Sequence, residues 1–288
     1  MQAEFGIIGG TGLYQLEGAK TIGDIEVPTP FGLPSDLIRV VEAAGIRIAF
    51  LPRHGRGHRL LPTEVPSRAN IWALKSLGVR QILAVSAVGS LSEEFAPGDL
   101  VVCDQLIDRT RSRPNSFFGD GVVAHLPFAD PYCPEMRAGI NELLAASKIP
   151  SHSRGTLVCM EGPLFSTRAE SNLYRSWKAE LIGMTALPEA KLAREAEICC
   201  ALIAMVTDYD CWHEAEESVS VEMVLETMAK NTRAIQELIP AIVSRLKERK
   251  DCACRHAAEN TIITAAEKIP YQTRRALDLF YGKYWNRN

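Results

Sequence analysis

Cys199-Cys-Ala-Leu-Ile-Ala-Met-Val206 is an unbroken apolar run, and it leads directly into Thr207-Asp-Tyr-Asp-Cys-Trp212. A continuous apolar run of this length reads as a strand buried on both faces, as in a parallel α/β sheet. Ligands of open α/β sheets gather beyond the carboxyl ends of the strands. The run therefore carries Asp208 and Asp210 to the place where a small molecule sits. Two acids this close, beside an aromatic and an apolar wall, repel each other and lose solvation, which favours one holding a proton near neutral pH. A solvated turn explains the same residues equally well, because Asp is a common turn residue.

Around this run, strand-like segments alternate with helical ones, which marks an α/β chain. Asp36–Glu42 and Arg47–Leu51 flank Ala44-Gly45 and read as a hairpin. Ser67–Leu77 has helical apolar spacing and ends at Gly78. Gln81–Ser86 and Leu100–Cys103 read as buried strands, Pro134–Ser147 as a helix with proline near its start, and Gly155–Cys159 as a strand. Val221–Leu246 is a long helix, and Thr273–Tyr281 is a final amphipathic one. Asp108–Pro134 is rich in Arg, Pro, Gly and Phe and has no period; a long irregular loop within a compact domain is usually functional. The expected architecture is one α/β domain over residues 1–245, with a central mixed sheet flanked by helices. Residues 246–288 are expected to form a helical extension packed on the same domain.

With 288 residues, 47% of them hydrophobic and 23% charged, the chain can bury a large core. A net charge of -3 argues against a nucleic-acid partner. No apolar stretch reaches the length of about 20 residues that spans a bilayer. The chain opens on Phe5-Gly-Ile-Ile8 without a charged leader, so a cytoplasmic location is expected. Of the eight cysteines, Cys103, Cys159, Cys199 and Cys200 lie in apolar runs, where a thiol behaves as a small hydrophobe. Cys252-Ala-Cys254 sits among charged residues. A redox pair or half of a metal site is conceivable there. No second pair has zinc-site spacing, however, and His256 does not complete one. Exposed thiols without a dedicated role, and no metal, are the expectation.

Other strand ends offer anion donors. Ile7-Ile-Gly-Gly-Thr-Gly12 is a strand running into a glycine-rich turn, where backbone N–H groups and the Thr11 hydroxyl can approach an anion. A dinucleotide-binding oxidoreductase needs a third glycine where Gln15 stands, with a helix directly after, and the P-loop lysine is absent. Arg53-His54-Gly55 follows the strand ending at Leu51-Pro52, and Arg offers a fork matched to phosphate. Ser86-Ala-Val-Gly-Ser90 is read as a turn that ends the strand Gln81–Val85. Thr185 follows Leu181-Ile-Gly-Met184. Each alone is an ordinary loop residue; jointly they suggest one crevice that binds a small anion near an acid.

With these segments laid out, the chain resembles the trimeric purine nucleoside phosphorylases, closest to their methylthioadenosine-cleaving branch. The resemblance rests on Gly6–Gly12, Thr29-Pro-Phe-Gly32, Arg53-His-Gly-Arg56, Ala69–Lys75 and Pro97-Gly-Asp99. Glu161-Gly-Pro163, Phe165–Glu170, Gly183-Met-Thr185, Pro188-Glu189 and Thr207–Trp212 complete it. It covers about residues 5–245 in order. It implies cleavage of a nucleoside by inorganic phosphate, a co-substrate, with no metal or organic cofactor, in purine and methionine salvage.

Carried over by position, Thr11, Arg53, His54, Ser86, Ala87 and Thr185 would form the phosphate site. Met184 would lie on the ribose, Phe165 on the base, and Ser166 would help set selectivity. Asp208 and Asp210 would face the purine N7 and its exocyclic amine. Val221 and Val224 would border the methylthio group, and His58 the edge of the site. His125 would reach the substrate of a neighbouring subunit, which implies a homotrimer or a hexamer of two trimers.

An oxocarbenium-like sugar and a departing purine suit these residue types: fixed donors hold the phosphate, and an acid protonates N7. Asp208 is assigned that proton, as part of a coupled pair with Asp210. The pair favours a 6-amino over a 6-oxo purine, because a carboxylate accepts from an amine. Gly183 departs from the Asn that adenosine-type relatives commonly carry, so cleavage of a 6-oxopurine nucleoside or methylthioinosine is the alternative.

Overall fold

In the computed structural model the apolar run becomes the strand β11 (Cys199–Asp208), buried up to Thr207. The described residues are all except 11, 12, 14, 15, 17, 18, 214–220, 248–251 and 286–288; side chains of 221–225 are also outside the description. The other strands are β1 (Phe5–Gly9), β2 (Lys20–Ile25), β3 (Ile38–Ala43), β4 (Ile46–Pro52), β5 (Gln81–Ser90) and β6 (Leu100–Val102). They are followed by β7 (Gln105–Arg109), β8 (Ser151–His152), β9 (Thr156–Met160) and β10 (Leu181–Gly183). The helices are α1 (Ser67–Ser76), α2 (Pro134–Ala146), α3 (Arg168–Ser176), α4 (Glu189–Glu195), α5 (Val221–Lys247) and α6 (Tyr271–Trp285).

All strands join one mixed sheet in the order β2-β3-β4-β1-β5-β10-β9-β7. β11 lies along β5, β6 along β11, and β8 along β6. β4, β1, β5 and β11 are mutually parallel, so their carboxyl ends share one edge. The expected hairpin is β3–β4, turning through Ala44 and Gly45, both at positive φ, as a tight two-residue hairpin requires.

β5 departs from expectation in a way that builds the site. A turn was expected from Ser86, but the strand continues to Ser90 because β11 pairs with it along its whole length. On its other edge, β1 pairs with β5 only up to Ala84, and β10 pairs antiparallel with Gly89 and Ser90. Neither ladder covers Val85–Val88, so the sheet splits there.

The two faces of the sheet carry separate cores, which is why the central strands read as continuously apolar. Ile82, Ala84 and Val88 of β5 pack with Leu202, Ala204 and Val206 of β11 under α1, α4 and α6. Leu83 and Val85 pack with Ala201, Ile203 and Met205 under α2 and α5. The C-terminal extension shares the first core through Leu277, Phe280, Tyr281 and Trp285. Tyr281 also donates from its hydroxyl to Glu195 O at 2.8 Å. Its helix is longer at both ends than the apolar spacing suggests.

Candidate active site

Arg53 follows β4 directly and is 2% exposed. Its Nε and Nη2 donate to Glu189 Oε1 and Oε2 at 2.6 and 2.9 Å, and its Nη1 donates to Val85 O at 2.9 Å. The guanidinium thus fills the split in the sheet. Its fork, expected to face an anion, clasps Glu189 at the start of α4; the remaining Nη1 proton is what it has to offer a ligand. Removing either partner would strand a buried charge.

Ser86 and Thr185 meet across the same split, with Oγ and Oγ1 2.9 Å apart. The antiparallel register explains the meeting: Leu181 opposes Ser90 and Ile182 opposes Gly89, so the chain leaving β10 runs back past Ala87 to Ser86. Ser86 therefore reaches the site from mid-strand, where the missing ladder opens the backbone, not from a turn.

His54 is buried, stacks on His58 with centroids 4.3 Å apart, and its Nδ1 lies 2.8 Å from Leu60 O. A carbonyl only accepts, so Nδ1 carries the proton and Nε2 is left as an acceptor. Burial, then the Arg53 charge, pushes its pKa down from 6.5 to about 4. The ring is neutral at physiological pH. Its Nε2 can accept a hydrogen bond from a hydroxyl, and the ring does not act as a cation there.

Three residues further along β5, about 10 Å at strand rise, stands the Asp couple. Asp208 opposes Gly89 after a bulge at Thr207. Asp210 takes a φ of 52°, which turns its backbone N–H to Asp208 Oδ1 at 2.8 Å. Thr207 Oγ1 lies 2.7 Å from Asp208 Oδ2 and 3.1 Å from Val88 O. Ser166 donates its hydroxyl to the Asp210 carboxylate, 3.1 and 2.9 Å from Oδ1 and Oδ2. The turn is pinned by Trp212, whose Nε1 donates to Ser90 O at 2.7 Å under the Arg175 guanidinium. Gly89 leaves the space for this: a Cβ there would stand 3.0 Å from Asp208 Oδ1 and 3.4 Å from Asp210 Cβ.

Met184 packs on Gly162, where a Cβ would come within 2.6 Å of its Sδ, and Gly162 has a φ of 68°. Arg113 ties these segments together. Its Nη1 donates to Met184 O and Leu187 O, and its Nη2 to Met160 O and Glu161 O. Phe165, expected over a base, is 65% exposed on the loop that holds Ser166. His125 is exposed, and its N–H donates to Thr261 O, so its backbone rests on the C-terminal extension. Thr11 lies outside the described residues. Val221 and Val224 begin α5, with side chains outside the description.

Glu189 and Arg113 hold the candidate site together through buried hydrogen bonds and were not picked out from the sequence. Glu189 follows Pro188 in the Pro188-Glu189 pair, but nothing local ties it to Arg53. Arg113 lay in the irregular loop, whose lack of period was its only signal. The expectation of exposed thiols at Cys252 and Cys254 is corrected: they are 8% and 4% exposed. A 3-10 turn over Ala253–His256 folds both thiols inward and leaves His256 exposed.

Residues 4–244 match the phosphorylase superfamily, and the chain belongs to that family. It is 51% identical over 285 residues to S-methyl-5'-thioadenosine phosphorylase of Geobacter sulfurreducens, covering 99% of this chain and 100% of the relative. The protein of the same name from Thermosynechococcus vestitus is 50% identical over 288 residues, with 99% and 100% covered. A crystal structure of methylthioadenosine phosphorylase from an Antarctic soil metagenomic library superposes with a TM-score of 0.90 at 46% identity, over 97% of this chain and 99% of that one. A mutant of Schistosoma mansoni adenosine/methylthioadenosine phosphorylase, in complex with methylthioadenosine, gives a TM-score of 0.83 at 36% identity, with 90% and 96% covered.

Proposed function

We propose that this chain cleaves 5′-methylthioadenosine with inorganic phosphate, releasing adenine and 5-methylthioribose 1-phosphate. The observation that carries the reading is that both halves of the chemistry are brought together along one strand, β5. The Ser86–Thr185 hydroxyls lie at one point and the Gly89-seated Asp couple about 10 Å along. That spacing suits a ribose bridging a phosphate and a purine. Relatives carrying this activity in their names match the chain over nearly its whole length.

Phosphate would be held by Thr11, Arg53, His54, Ser86, Ala87 and Thr185, with Met184 against the ribose. A phosphate oxygen attacks C1′ as the C1′–N9 bond breaks, and that bond's electron pair passes to the purine. A proton delivered to N7 neutralises the leaving group. Asp208 is the proposed donor. The Thr207 hydroxyl, 2.7 Å from Asp208 Oδ2 and 3.1 Å from Val88 O, and the Asp210 N–H, 2.8 Å from Asp208 Oδ1, hold the carboxyl in a fixed orientation for that transfer. Asp210, held by Ser166, is left to accept from the 6-amino group. Phe165 would cover the base, Val221 and Val224 the methylthio end, and no metal or organic cofactor enters a step.

The proposed assembly is a homotrimer in which His125 completes a neighbour's site. Val123 and Ile263, both exposed apolar residues flanking the Ala124–Ile262 bridge, support an interface beside His125.

A panel of methylthioadenosine, methylthioinosine, adenosine and inosine tests the substrate. Fastest turnover of methylthioadenosine is expected. Preference for either 6-oxo nucleoside would transfer the assignment to the 6-oxopurine alternative.

A further inference from the structure

We propose that Cys133, Cys199, Cys252 and Cys254 form a structural tetrathiolate site for a divalent cation of borderline softness, Zn²⁺ foremost. Their Sγ atoms all lie within 4.8 Å of one another, and those of Cys133 and Cys252 are 3.5 Å apart. A tetrahedral site with metal–sulfur bonds of about 2.3 Å has edges of about 3.8 Å. Four sulfurs converging at such distances are a ligand set that selects Zn²⁺ or iron over hard cations. Among the described residues, no other group of three or more His, Cys, Asp or Glu side chains converges in this way.

The four ligands come from three distant segments, which is why no ligand spacing shows in the chain. Cys133 is the N-cap of α2, Cys199 is the first residue of β11, and Cys252 and Cys254 bracket the start of the 3-10 turn after α5. The backbone joins the first two regions directly, since Cys133 N–H donates to Cys200 O at 2.7 Å. All four are buried in the core beneath α2 and α5, against residues such as Met136, Ile203 and Leu246. Water has little access there, and structural zinc sites are similarly closed.

Binding M²⁺ to the four thiols forms four metal–sulfur bonds, breaks four S–H bonds and releases four protons to solvent, with no change of oxidation state.

The consequence is mechanical. The cation would fasten the C-terminal extension to α2 and β11, and the extension carries Thr261, on which the His125 backbone rests.

Tag-free protein purified under reducing conditions from zinc-supplemented cells should contain about one zinc per chain by elemental analysis. Anaerobic replacement with Co²⁺ should give thiolate-to-cobalt charge-transfer absorption and strong tetrahedral ligand-field bands. Both signals should vanish in the Cys252→Ser/Cys254→Ser variant. Chelation should lower the Tm of the wild type and leave kcat/KM at 25 °C unchanged. Wild-type protein that takes up neither metal after anaerobic reconstitution would overturn the proposal. So would mapping of these cysteines as disulfides in freshly isolated protein. Both readouts use the wild type, so a variant that fails to fold does not blur the result.

Discussion

Each functional side chain here is set by a particular bond. The Asp210 N–H and the Thr207 hydroxyl region fix the Asp208 carboxyl, so Asp208→Asn should keep the fold while losing the transferable proton. A fall in kcat/KM of roughly 10²-fold or more is expected from steady-state kinetics; an unchanged value would remove Asp208 from proton transfer. Asp210→Asn, which presents an amide to the base, should shift preference toward 6-oxo nucleosides by roughly 10-fold or more in the kcat/KM ratio. Arg53→Met leaves Glu189 as a buried, unpaired carboxylate and should cost about 3–5 kcal/mol in urea unfolding. At this scale the placement of a residue was legible wherever a polar residue follows an apolar run, as with Asp208, Arg53 and Thr185, but the partner of Arg53 was not. Glu189 was illegible because its partner lies 136 residues away and only the fold joins them.

At the scale of elements, the site exists because β5 outlasts β1. The apolar run Gln81–Val85 announces the strand but not its length, which is set by β11 pairing on the far edge. The split in the sheet is a tertiary property of three ladders, so a turn at Ser86 was a natural misreading. Gly89 is the hinge of this arrangement. Gly89→Ala places a Cβ 3.0 Å from Asp208 Oδ1 and should displace the couple by tenths of an ångström. Thermal unfolding should change little, whereas kcat/KM should fall roughly 10-fold or more, since small misplacements of catalytic groups are costly. A proportionate loss of both would instead mark Gly89 as a packing residue. Cys252 and Cys254 were misread for a similar reason: their charged neighbours suggested exposure, but a short turn sends the two thiols inward.

For the whole molecule, burial of neutral His54 couples stability to pH. Its pKa is about 4 in the folded chain against 6.5 ordinarily, so the unfolded chain takes up the proton first as pH falls. Its contribution is complete above pH 6.5 and is lost as the pH drops through about 4. His54→Gln should flatten this part of the Tm–pH curve; an identical slope would show that the ring titrates normally. Glu195 has the opposite sign. Burial raises its pKa to about 7, so its contribution is present below pH 4.5 and lost as pH rises through 7. Assembly belongs to this scale too. Sedimentation should find a trimer or a hexamer, and a fully active monomer would contradict the role given to His125.

Adenine release from methylthioadenosine, followed across a phosphate titration that begins in phosphate-free buffer, tests the convergence on β5 most directly. Release should be absent without phosphate, saturate as phosphate rises, and yield one sugar 1-phosphate per adenine. Adenine formed at full rate with no phosphate present would contradict it, because water and not a bound oxyanion would then be the nucleophile beside the Asp couple.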